Sequence, residues 1–186
     1  MKTFWLESQE KYSGEQLKPL NNYLSHGVLG DSIVAWQGAC DVPLEHMIDG
    51  EDLRDSSAIQ AEQMLHFVLE LFQFPLHGAI ALQRLMGELL IKEIKHQNSN
   101  VEDLVRKGDD IYWGEGKLNI SIATLSSNSS LIHFGVNVTN EGTPVKTASL
   151  ADFQIADSAE FAKNFMNSVA QEYSQIQRAF VKVRTF

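Results

Sequence analysis

Two neighbouring stretches, 117–124 and 132–138, alternate apolar with small polar residues, and this period of two commits them to extended strands with one covered face. In the first, Leu118, Ile120 and Ile122 fall on one side and Lys117, Asn119, Ser121 and Ala123 on the other. In the second, Ile132, Phe134, Val136 and Val138 oppose His133, Gly135 and Asn137. The two polar sets share a face if opposed residue numbers sum to an even value, as in Ile120 with Val136 or Asn119 with Asn137. A register opposing Ile122 to His133 separates them. One lysine, two amides, a hydroxyl, an imidazole and a glycine are what a ligand can approach closely and hydrogen-bond. The alternative is an ordinary half-exposed hairpin, since alternation is common in antiparallel sheets.

At 186 residues the chain fits one domain, 1–186, large enough to bury about 70% of its unfolded surface without disulfide or metal. Its single cysteine, Cys40, has no internal partner, and the opening residues lack the long apolar core of a signal peptide. A cytoplasmic location is the expectation. No apolar run approaches the roughly 20 residues of a membrane span. A formal net charge of −9 argues against a nucleic-acid partner, which is held largely by Lys and Arg on phosphates. The one basic cluster, Lys92, Lys95 and His96 with Arg106 and Lys107, reads as the solvated end of a helix and its loop.

Elsewhere the pattern predicts a short strand over 2–7, a turn at 12–15, and a strand over 31–36 bounded by Gly30 and Gly38, followed by a loop from Gln37 to Arg54. Ser57 and Gln60 have capping-box spacing, and Ala58, Ala61, Leu65, Val68 and Phe72 then predict a helix ending near Pro75. Glu62, His66 and Glu70 would share an edge of it, as a solvated or boundary cluster. A second helix is expected over 76–96, a turn at 140–144, and a last helix capped by Asp157 or Ser158 with the stripe Phe161, Phe165, Val169, Tyr173 and Ile176. Residues 181–184 suggest a final edge strand. Strands lead, two helices intervene and strands follow, so the fold class is α+β: a mixed, largely antiparallel sheet with helices packed on its apolar face.

The order and spacing of these segments resemble the lipoate and biotin protein ligases and the related octanoyltransferases. Residues 31–37 are similar to that superfamily's early strand before the substrate loop, and 108–123, with Gly116-Lys117, to its strand bearing an acidic residue followed by a Gly-Lys strand. Residues 133–138 are similar to the strand after it. Along its whole length the chain resembles domain-of-unknown-function family 366, for which no activity is implied. The ligase resemblance implies that Lys117 contacts an acyl carbonyl or phosphate. The glycine-rich phosphate loop of those enzymes is absent between Gln37 and Glu62, where only Gly38 and Gly50 occur, so ATP-dependent adenylation is not expected.

Two residues are therefore catalytic candidates. Lys117, flanked by Gly114 and Gly116, is placed to stabilise negative charge developing on an acyl oxygen; its plain alternative is a solvated turn lysine. Cys40 follows a strand and, if Lys117 lowers its pKa, becomes a thiolate nucleophile for ATP-independent acyl transfer; its plain alternative is a small buried hydrophobe. Asp31, Gln37, Asp41, Asn119, Ser121, His133, Gly135 and Asn137 are candidate substrate contacts. Cys40, Asp41, Glu45, His46 and Asp49 fit no standard zinc spacing, so no metal site is assigned. Asp109 and Asp110 start a strand and can hold a substrate hydroxyl or a lysine. The expected partner is a small acyl or carboxylate molecule, with an acyl-carrier or acceptor protein if the acyl group is transferred. The residues specify no cofactor, and a non-catalytic ligand-binding protein of the same fold competes with the enzyme readings.

Overall fold

The computed structural model describes residues 1–184. In chain order the elements are β1 (Lys2–Trp5), α1 (Asn21–His26), β2 (Ser32–Val42), a 3-10 turn at Leu44–His46, α2 (Gly50–Asp55), β3 (Ile59–Phe72), α3 (Leu76–Gln97), β4 (Leu104–Lys107), β5 (Asp110–Trp113), β6 (Gly116–Lys117), β7 (Asn119–Leu125), β8 (Ser129–Asn137) and α4 (Ser158–Val181). Five strands form one sheet in the order β1-β2-β3-β8-β7, while β4-β5-β6 form a small second sheet. Within the large sheet, among the described residues, the edge pair β1 and β2 runs parallel and the other strand pairs are antiparallel. Among the described residues no helix is long and apolar enough to cross a membrane.

The helices α3 and α4 cover one face. Their inward stripes, Leu82, Met86, Leu90 and Ile94 on α3 and Phe161, Phe165, Val169 and Tyr173 on α4, pack on Ile33, Ala35, Leu65, Phe67, Leu69, Leu71, Ile132, Phe134 and Val136. Phe165 stands edge-on to Phe67 with centroids 4.9 Å apart. Asp157 caps α4, accepting from the Glu160 amide at 2.8 Å, and α3 runs to Gln97, so both helices match their sequence pattern. Asp31 ties α4 to the sheet: its carboxylate accepts from the Phe72 amide at 2.8 Å and the Tyr173 hydroxyl at 2.6 Å.

The opposite face is covered by a strap, residues 6–20, that crosses β2. Trp36 Nε1 donates to the Glu10 carbonyl at 2.8 Å, and the Tyr12 backbone bonds Ala39 and Asp41. Tyr12, Leu17, Val34, Trp36, Cys40, Met64, Val68 and Leu131 form this second core. The strap passes so near β2 that a Cβ on Gly38 would lie 1.9 Å from the Glu10 carbonyl oxygen.

Five expectations are corrected. Residues 59–72 are the central strand β3, not a helix; a strand buried on both faces reads as a near-continuous apolar run, and the helical fit of Ala61, Leu65, Val68 and Phe72 was a coincidence of that run. The β2 strand extends through Gly38 and Cys40 to Val42 by way of a bulge, so Cys40 is paired with Ala61 and is not in a loop. The β7–β8 register opposes Ile122 to His133 and Ile120 to Gly135, an odd sum, so the shared polar face does not exist. Residues 182–184 follow α4 without forming a strand, and Arg106 and Lys107 lie in β4.

The strap contact is directly testable. In Gly38→Ala the new methyl collides with fixed backbone, and urea unfolding should show a loss of about 2 kcal/mol or more. Gly135→Ala should lose less, because there the nearest atom is the flexible end of Met64, 2.9 Å away. Equal midpoints for wild type and Gly38→Ala would show that the strap does not hold this approach.

Candidate functional site

A cleft of about 420 Å³ opens where the uncovered end of the large sheet meets the small sheet and the segment 42–60. Its apolar walls are Val42, Ile48, Ile59, Met64, Ile120 and Ile122, and Lys117, Tyr12 and His133 line it as well.

Lys117 is held in place by backbone on two sides. Its amide donates to the Lys146 carbonyl at 3.1 Å, and its own carbonyl accepts from the Ala148 amide at 3.0 Å. Its ammonium lies 2.9 Å from Asp110 Oδ1 at the start of β5, with both side chains about a quarter to a third exposed. Asp110 thus holds the lysine, and the Tyr112 hydroxyl donates to its other oxygen at 3.3 Å. The cleft also carries the carboxylates of Asp49, Glu51, Asp52 and Asp109. Five acids against one paired ammonium make a poor seat for polyphosphate, whose like charge they repel.

The buried polar groups sit deeper. His66 on β3 and His133 on β8 join Nδ1 to Nε2 at 3.1 Å, and His66 Nε2 lies 3.3 Å from the carbonyl oxygens of Gly38 and Ala39. Tyr12 stacks on His133 with centroids 3.7 Å apart and planes 7° apart. Burial pushes His66 down to about 4, against the smaller opposing pull of the two carbonyls. Burial, and then the neighbouring His66, push His133 well below the ordinary histidine value. Both rings are therefore neutral near pH 7. Carbonyls only accept, so His66 Nε2 carries its proton and Nδ1 is bare; His133 must then donate from Nε2, which leaves its own Nδ1 bare.

The sequence candidates scatter. Lys117, Asn119, Ser121, His133 and Asn137 all border the cleft, but from different faces. Asn119 is locked to β5, accepting from the Ile111 amide at 2.7 Å and donating to the Asp109 carbonyl at 3.0 Å. Asn137 donates to the Lys117 and Ala148 carbonyls at 3.0 and 3.1 Å. Ser121 accepts from Gln83 of α3 at 2.8 Å, on the helix-covered side. Gly135 is a packing position under Met64 and Ile120. Asp31 serves the α4 contact described above; Gln37 bonds Gln63 at 2.8 Å and Ser158 at 2.5 Å; Asp41 pairs with Lys11 and Gln60, each at 3.2 Å. Cys40 is buried outside the cleft lining, and burial, then Asp41, push its thiol up to about 12, away from a thiolate.

His66 is not a solvated helix-edge residue but a fully buried group on β3. In the sequence its spacing of four from Glu62 and Glu70 fits a helix edge as well as one strand face, because Met64 and Val68 lie between them and break any alternation. Tyr12 carried no comparable signal, since only the strap's path brings it over the histidines.

The profile of a domain of unknown function, DUF366, matches residues 1–184. An uncharacterized protein of Methanocaldococcus jannaschii is 29% identical over 183 residues, covering 96% of this chain and 82% of its own. A protein of unknown function from Pyrococcus horikoshi superposes with a TM-score of 0.92 at 35% identity, over 100% of this chain and 98% of that one. The fold is that of the biotin and lipoate protein ligases. The Aquifex aeolicus biotin protein ligase in complex with biotin and ATP gives a TM-score of 0.65 at 13% identity, covering 95% and 72%. A lipoate-protein ligase A bound with ATP gives 0.54 at 15%, covering 92% and 85%.

Two outcomes follow from the protonation states. A histidine held neutral in the fold binds its proton first in the unfolded chain, so its stabilisation is complete above about pH 6.5 and lost as pH falls toward 4. The urea midpoint should therefore fall between pH 7 and pH 5, while the ring proton shifts of His66 and His133 stay flat in the native protein; titration of either ring near 6.5 would contradict their burial. Cys40 should resist iodoacetamide at pH 8 in the folded protein and react in urea. Rapid native labelling, slowed by Lys117→Ala, would restore it as a nucleophile.

Proposed function

Since the chain belongs to the DUF366 family and has the biotin and lipoate protein ligase fold, we propose that its cleft binds a small molecule with an apolar body and a carbonyl end. The observation that carries this is Lys117: a partly buried ammonium, fixed at 2.9 Å from Asp110, at the margin of a cleft walled by Met64, Ile120 and Ile122. A carbonyl oxygen accepts a charge-assisted hydrogen bond from that ammonium, while the apolar walls take the chain behind it. Biotin and ATP in the complex of the similar Aquifex ligase support a small-molecule role for this fold.

The acidic rim and the absence of a glycine-rich loop favour binding over adenylation. A second reading is acyl transfer from a donor that arrives already activated. Here an amine or thiol of an acceptor protein attacks the carbonyl, Lys117 steadies the oxyanion, and the activating group leaves with the electron pair of the broken bond and takes up the proton that the nucleophile gives up. The retained Lys117 favours it, and Cys40, buried and protonated, has no part in it.

Thermal shift with octanoate, octanamide, lipoate and biotin, with and without an acyl carrier, tests both. A ligand at a hundredfold excess over its Kd adds about 3 kcal/mol of stability. Lys117→Ala should weaken binding of the best compound about tenfold or more while changing urea stability by less than about 1 kcal/mol. MgATP alone should leave the melting temperature unchanged. Unaltered affinity in the variant would remove Lys117 from the site.

A further inference from the structure

The neutral histidine pair has a direction. Protons run from His66 Nε2 to the β2 carbonyls and from His133 Nε2 to His66 Nδ1, and the series ends on the bare lone pair of His133 Nδ1. Among the described residues nothing donates to that nitrogen, and it is not one of the fully enclosed unsatisfied atoms, which are Trp5 Nε1 and Asn22 Oδ1. Nδ1 of a residue only 2% exposed therefore keeps its access through the cleft that His133 lines. The hydroxyl of Tyr12, stacked on the same ring and lining the same cleft, likewise has no protein partner.

An acceptor that a bound molecule shuts off from water without pairing it is costly, so a site that carries one discriminates strongly for a group that fills it. The matching group must donate. A carboxylate cannot, and it would meet the lone pair with its own. We infer that His133 Nδ1 and the Tyr12 hydroxyl recognise a neutral N–H or O–H donor, an amide or alcohol, on the molecule that occupies the cleft. This rests on the ligand-binding reading above and extends it: Asn137, which holds the Lys117 carbonyl, is four residues from His133 on β8, roughly 13 Å along the strand. The ligand then has two unlike polar ends, a carbonyl near Lys117 and a donor near His133, separated by an apolar body against Ile120 and Ile122.

The test uses 15N-labelled full chain and two probes that differ by one hydrogen-bond donor, 2-pyrrolidinone and N-methyl-2-pyrrolidinone. Before any addition, long-range 15N–1H spectra should show His133 protonated at Nε2 and bare at Nδ1; a proton on Nδ1 overturns the inference outright. On titration, 2-pyrrolidinone should move the His133 Nδ1 resonance and saturate, with the N-methyl compound weaker by about tenfold or more. Equal effects, or none at His133, overturn it. His133→Phe should abolish the preference, and His133→Gln, which keeps an acceptor, should retain part of it if the aromatic variant does not fold. Lys117→Ala should leave the preference intact. Loss of carbonyl-compound binding in Lys117→Ala with the lactam preference preserved separates the two claims, as does the reverse result in His133→Phe.

Discussion

The parity of β3 organises the molecule. Its odd residues, Leu65, Phe67, Leu69 and Leu71, enter the core under α3 and α4, and its even residues, Met64, His66, Val68 and Glu70, enter the core under the strap. Because the side-chain period of a strand is two, a slip of one residue against β8 would drive His66 and Glu70 under the helices and Phe67 under the strap. Both polar side chains are satisfied only in the observed register. Glu70 accepts from the Leu20 amide at 2.8 Å and the Ser129 hydroxyl at 2.9 Å, and His66 reaches His133 and the β2 carbonyls. Buried polar groups that have partners in one register alone help to specify that register, beyond what apolar burial does.

The same constraint shapes the cleft. Helices cover one face completely, whereas a strap of irregular chain covers the other only as far as Tyr12, so the sheet beyond Met64 and Ile120 is left as a floor. Polar groups at that boundary divide by their environment. Those with backbone partners, Asn119 and Asn137, fasten the small sheet and the 146–148 loop to β7 and β8. Those enclosed without charge partners, His66 and His133, are neutral. The charges are confined to the rim, where solvent screens them. Electrostatics thus grade the cleft from an acidic mouth to an uncharged interior, the reverse of a site built to cradle phosphates.

Much of this was legible in the residues. The stripe of α4, the cap at Asp157, the extent of α3 after Pro75 and the α+β class follow from local pattern, because amphipathic helices and turns write their neighbours' positions into a short window. The misreading of 59–72 and that of its second face have one origin. A strand buried on both faces loses the alternation that marks it, so 59–72 passed for a helix, and the covering of its second face by the strap was hidden with it. Without that second cover, the polar side of 132–138 could only be assigned to a ligand. In the fold it is largely a core face, on which Gly135 makes room for Met64 and His133 lies beneath Tyr12. Register between β7 and β8 depends on the path of 126–128 and on the break at Leu118, and neither is encoded by alternation.

Lys117 and Asp110 show why the cleft suits an uncharged carbonyl better than an anion. The pair is only partly exposed, so its mutual attraction is less screened than that of a surface pair. An incoming carboxylate or phosphate would have to compete with Asp110 for the same ammonium while approaching Asp49, Glu51, Asp52 and Asp109 across the mouth. A carbonyl oxygen brings no net charge. It can accept one of the remaining ammonium protons without displacing Asp110, since a lysine has three donors and Asp110 Oδ1 occupies one. If negative charge then develops on that oxygen, as in attack by an acceptor amine, it forms beside an ammonium that is already oriented, and the nearby Asp110 limits how strongly the anion is favoured over the neutral carbonyl. On the proposed reading the cleft would hold a carbonyl compound readily and stabilise its oxyanion modestly, an order that suits binding better than phosphate chemistry.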